Sequence, residues 1–129
     1  MRRTFALALL AAAAPLHAET GVAVESAVFV EHAGEHGLRV EPAARFLRGD
    51  TVVTVMSWQA PASGRSSIVS AVPAHLVLES VSRDGLEVST DNARTWRRIA
   101  DARDLPLGIT HLRWPARGEG RLSYRAIVR

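Results

Sequence analysis

Past its first twenty residues the chain is a series of short β-prone runs broken by turn residues at nearly even spacing, and this punctuation restricts the fold most. The runs are Val22–Val30, Leu38–Val40, Thr51–Trp58, Ile68–Val72, Leu76–Val81, Leu86–Thr90, Thr95–Ile99, Ile109–Trp114 and Leu122–Val128. Between them stand Gly34 to Gly37, Arg48-Gly49-Asp50, Pro61 to Gly64, Arg83-Asp84-Gly85, Asp91-Asn92-Ala93 and Arg117 to Gly120. Many short strands separated by such turns predict an all-β sandwich or barrel. In the last run Leu122, Tyr124, Ala126 and Val128 share one face, which is the alternation of a strand with one buried side. Val52, Thr54, Met56 and Trp58 share a face in the same way, but Val53 and Val55 make the opposite side apolar too, which predicts a central strand. Pro42 to Leu47 and Ala100 to Leu105 allow only short turns. The expected core is Val52, Met56, Trp58, Ile68, Leu76, Leu78, Val88, Trp96, Leu112, Trp114, Tyr124 and Val128.

The N-terminus follows a different logic. Met1-Arg2-Arg3 is a short cationic start, Phe5 to Ala14 is apolar, Pro15 breaks the run, and Ala18 offers a small residue for cleavage before Glu19. These parts match a secretory signal peptide over residues 1–18, with an uncleaved anchor as the alternative. The apolar stretch is shorter than the roughly 20 residues of a bilayer-spanning helix. Arg2-Arg3-Thr4-Phe5 also echoes a twin-arginine export start, although an ordinary cationic start is the favoured reading in a chain whose 16 basic residues are all arginine. The expected product is one domain, residues 19–129, periplasmic or extracellular, with no transmembrane span once the signal is removed.

Charge and cysteine narrow the partners. Removal of Arg2 and Arg3 from the 16 arginines leaves 14 against 13 acids, a formal +1, too weak a field for a nucleic-acid binder. With no cysteine, neither disulfides nor thiol chemistry are available, so stability has to come from the core. A hydrophobic content of 47% excludes a disordered chain.

Several segments in order carry a family resemblance: Arg48-Gly49-Asp50-Thr51-Val52-Val53-Thr54-Val55, Val72-Pro73-Ala74-His75-Leu76, Glu87 to Trp96, Ile109-Thr110-His111-Leu112-Arg113-Trp114, and Leu122-Ser123-Tyr124-Arg125. Together they resemble the immunoglobulin-like "conserved repeat" domain of bacterial envelope and surface proteins, a family of unknown function. The resemblance covers roughly residues 22–129 and departs at Gln59-Ala60-Pro61, where the family carries asparagine followed by glycine. It implies a single immunoglobulin-like antiparallel β-sandwich without established catalysis.

Four patterns are candidates for chemistry. His32-Ala33-Gly34-Glu35-His36 has the H-x-x-E-H spacing of inverted zinc proteases, in which a helix aligns both histidines on a metal. Gly34 and Gly37 between two β-prone runs favour a hairpin turn instead, leaving His32 and His36 as weak metal candidates. Ser89-Thr90-Asp91-Asn92-Ala93-Arg94-Thr95-Trp96 resembles the Asp-box S-x-D-x-G-x-T-W, with Ala93 in the glycine position. There Asp91, Thr95 and Trp96 would build a hairpin turn, with the aspartate accepting backbone N–H groups. Trp58, Trp96 and Trp114 could offer stacking surfaces to a glycan, although each stands in or beside a β-prone run, where packing is the competing use. Asp84, Glu87 and Asp91 could gather as a loose calcium site, and Arg94, Arg97, Arg98 and Arg103 form a basic cluster, interrupted by Asp101, that suits a solvated strand edge.

No nucleophile elbow, phosphate loop or dense ligand set stands out. The sequence therefore predicts an exported, non-catalytic envelope protein that needs no cofactor and binds or assembles with another envelope protein. The alternative is a carbohydrate-binding or carbohydrate-enzyme accessory protein, and a metal-dependent hydrolase ranks third.

Overall fold

The structure, a computed structural model, describes residues 16–18, 22–34, 37–42, 45–62 and 66–129. The body of the expected signal segment and His36 lie outside the described residues. The ten strands are β1 (Leu16–Ala18), β2 (Ala23–Gly34), β3 (Gly37–Pro42), β4 (Thr51–Gln59), β5 (Ser66–Ala71), β6 (Leu76–Val81), β7 (Glu87–Ser89), β8 (Arg97–Arg98), β9 (His111–Ala116) and β10 (Glu119–Val128). They form two five-stranded sheets, in the orders β1-β5-β9-β7-β8 and β3-β2-β4-β10-β6. Every pairing is antiparallel. Packed face to face, the sheets make an all-β sandwich. No helix among the described residues is long and apolar enough to cross a membrane.

Strands β2 to β10 each overlap one β-prone run of the sequence, and the alternation explains which side each buries. In β4, Val52, Thr54, Met56 and Trp58 are buried while the residues between them are half-buried. Its place between β2 and β10 accounts for the apolar residues on its second face. β10 buries Leu122, Tyr124, Ala126 and Val128, as its alternation requires. From β4 onward the chain crosses between the sheets repeatedly, and at Arg117-Gly118 two residues suffice to pass from β9 to β10. β1 is an addition: Leu16–Ala18 lies antiparallel along Ile68 to Ser70 of β5.

Between the sheets Trp58 of β4 meets Trp114 of β9, with ring centroids 5.8 Å apart and planes inclined by 51°. Met56, Ile68, Leu86, Leu112 and Leu122 fill the space around them. Tyr124 is buried here with Thr54 as its hydrogen-bond partner, and burial raises the phenol pKa. Two expected core positions are less covered than the rest. Leu78 faces inward in register with Ala126 and packs against the core but is only partly buried, because β6 is an edge strand; the register shift between Arg125 and Ala126 comes after it and brings Val81 inward. Trp96 is half-buried outside the core, beneath Arg113.

The Trp58 ring lies across Gly120, its cross-strand partner on β10. A Cβ at Gly120 would stand 2.4 Å from Trp58 Cζ2 and 2.6 Å from Cε2. Gly120→Ala should therefore force the indole aside and lower stability by about 1–3 kcal/mol in urea unfolding. An unchanged midpoint would mean that the ring can move freely.

Candidate functional site

The structure scatters most of the sequence candidates. His32 is exposed on β2, paired in register with Arg39, and among the described residues no group of three or more His, Asp or Glu is placed to hold a metal ion. Trp58 and Trp114 are 4% and 1% exposed, so neither offers a face to a sugar. Trp96 alone reaches the surface, and there the Arg113 guanidinium covers its ring at 4.2 Å. Arg113 is fixed in turn by Glu87, with Nε–Oε1 of 3.0 Å and Nη2–Oε2 of 3.1 Å. Those bonds hold the Glu87 pKa below its ordinary value. Asp84 accepts the Ala102 N–H at 2.7 Å, so the three acids considered for calcium are committed to different partners. Arg97 and Arg98 are exposed on β8, at the end of the first sheet.

The Asp-box-like turn does assemble. Thr95 donates to Asp91 twice, from its hydroxyl at 2.6 Å and its N–H at 2.9 Å, and the Ser89 hydroxyl donates at 2.7 Å. Ser89 Oγ also accepts the Ala93 N–H at 2.9 Å. The donors stabilise the carboxylate, so Thr95 first and Ser89 after it hold the Asp91 pKa well below its ordinary 3.8. Asn92 and Ala93 both take positive φ, 61° and 67°, where an asparagine is tolerated and an alanine is strained. Thr110 ties the turn to the start of β9 by accepting the Asn92 N–H at 3.0 Å. Each of these contacts is internal to the hairpin or its neighbour strand, so the turn works as a brace.

A surface that sequence reasoning did not assemble lies on the outside of the second sheet. Rows of opposed residues follow from the strand register. One row runs Val40, Glu31, Thr51, Ile127 and Val77, and the next runs Pro42, Phe29, Val53, Arg125 and Ser80. Phe29, Val53, Val55 and Ile127 are half-buried, and Val40 is 50% exposed. One ion pair, Arg125 with Glu31, straddles β4 between these rows, and beyond Val55 the same face turns polar, with Glu25 and Arg121 flanking Ser57. The outer face of the first sheet is different, carrying the Glu87–Arg113 pair and Trp96. The only sequence signal for the apolar face was Val53 and Val55, the outward residues of a strand buried on its other side.

No family model matches the chain, and comparisons with curated proteins and with solved structures return no match.

Two measurements test the brace. Ala93→Gly should relieve the left-handed strain and raise stability by up to about 1 kcal/mol, and a loss would mean that alanine sits there without strain. A depressed folded pKa contributes stability that is present above the unfolded value of 3.8 and is lost as pH falls through the lower folded value. Asp91→Asn should therefore flatten the decline in urea midpoint that the parent shows on acidification below about pH 4. Parallel declines would remove Asp91 from that role.

Proposed function

We propose that this chain is an exported, non-catalytic binding or assembly module of a bacterial envelope, built as a single immunoglobulin-like sandwich over residues 19–129. Its contact surface is the outer face of the β3-β2-β4-β10-β6 sheet, and its partner is another envelope protein. One observation carries the reading, the asymmetry of the two outer faces. One face is braced by a charged pair over Trp96, and the other holds an apolar patch, Phe29, Val40, Val53, Val55 and Ile127, around the Arg125–Glu31 pair and bordered by Glu25 and Arg121. An apolar patch that encloses one charged pair and has a charged border suits a protein surface of matching shape, where area gives affinity and the charges fix register. Export rests on the N-terminal sequence, and the immunoglobulin-like reading rests on the segments from Arg48 to Arg125.

The carbohydrate reading draws less support. It needs at least two tryptophans on one exposed face, and two of the three are core residues.

A photo-crosslinking side chain placed in living cells at Val55, and separately at Val69 on the first sheet, tests the proposal. We expect one discrete protein adduct from Val55 and none from Val69. Adducts of equal yield from both sites, or labelling of glycan alone from Val55, would overturn it.

A further inference from the structure

The strand edges are the places where a sandwich can meet another chain through its backbone, and they differ in charge and regularity. β8 presents Arg97 and Arg98, so two copies meeting there would oppose guanidinium to guanidinium. β6 is broken by the register shift opposite Arg125 and Ala126, and the remaining edge is β1, or β5 once residues 1–18 are removed, which carries no charge to select a register. β3 is regular, paired with β2 through six consecutive residues, and its other side meets no strand among the described residues. It is also the most exposed apolar strand, with Leu38 at 67% and Val40 at 50% exposure. Alternation puts Leu38, Val40 and Pro42 on the outer face of the sheet and Arg39 with Glu41 on the other. Arg39 Nη2 stands 3.5 Å from Glu41 Oε1, and the two side chains are 74% and 44% exposed.

We propose that a second copy of this chain docks along the free edge of β3, antiparallel about a two-fold axis at Val40, so that two sheets continue into one. The charges select this register. With the axis at Val40, Arg39 of each copy faces Glu41 of the other, the two Val40 side chains meet on the outer face, and Leu38 meets Pro42. Moving the axis by one residue, to Arg39 or to Glu41, sets like charges directly opposite, which disfavours both alternatives. An axis perpendicular to the sheet keeps each face on its own side, so the apolar row ending at Val40 runs on into the same row of the second copy. Pro42 has no N–H and ends the ladder, which keeps the pairing to one short strand, and the two-fold contact uses both copies' β3 edges, so it closes without propagating. The inference shares Val40 and its row with the contact surface described above but rests on the edge of β3 and its charges, so it stands without that reading.

A short edge buries less than a standard interface, so the expected dissociation constant is about 10–500 µM. Sedimentation equilibrium on the full chain as the cell leaves it, up to about 1 mM, should show a monomer–dimer equilibrium. Arg39→Glu and Glu41→Arg, each a change at an exposed site, should each weaken dimerisation at least about tenfold, with thermal unfolding by circular dichroism confirming the fold. An equimolar mixture of these two variants should restore it to within about threefold, because each carries the charges that the other lacks. A role confined to the Arg39–Glu41 pair within one chain could not produce that rescue. A parent that stays monomeric at about 1 mM, single variants that dimerise like the parent, or a mixture that remains monomeric would each overturn the proposal.

Discussion

Trp58 and Trp114 bring the two sheets together, and the remainder of the sandwich depends on that contact. Each ring removes roughly 150–250 Å² from water, worth about 4–6 kcal/mol by area. Among the described residues neither indole N–H finds an acceptor, a loss of about 1–3 kcal/mol each. Packing outweighs the unmade hydrogen bonds, so the rings remain inside. The arrangement also dictates a distant residue: Trp58 can lie flat across β10 only where its cross-strand partner lacks a side chain, and that partner is Gly120. One aromatic contact thus fixes a glycine about sixty positions away in the chain.

Once the interior is fixed by apolar area, the surfaces differ by how charge is placed. On the first sheet Glu87 and Arg113 hold each other and roof Trp96, converting a large apolar ring into covered surface. On the second sheet Glu31 and Arg125 reach diagonally across β4, leaving Phe29, Val53 and Ile127 partly open around them. The edges follow the same distinction. Arginines guard β8, a bulge disrupts β6, and β3 carries one charge of each sign between apolar residues. A lattice of like charges closes an edge to its own copy, whereas alternating signs admit one register.

Much of this was written locally. The β-prone runs became strands because a period of two needs only a few residues to declare itself, and Val53 with Val55 marked β4 as central. The Asp91 turn was equally legible, since its partners Ser89 and Thr95 lie within four residues and their hydrogen bonds close inside the hairpin. Leu78 and Trp96 were not legible as partly covered residues. The first faces the core from an edge strand with no further strand beside it, and an arginine from β9 capped the second. Of the zinc-like spacing, His32 lies exposed on a strand, where the helical alignment of its pattern does not arise.

By itself, then, the sequence determined the strands, the braced turn and the two faces of each strand, because alternation and turn chemistry are short-range. The tertiary structure alone decided which strands are edges and which outer face gathers an apolar patch. Those depend on order: β10, from the far end of the chain, inserts between β4 and β6, and β3 is left outermost. A residue's alternation states that it points outward, but its neighbours come from strands tens of residues away. Whether an outward valine is isolated or part of a continuous apolar surface is therefore settled only by their pairing.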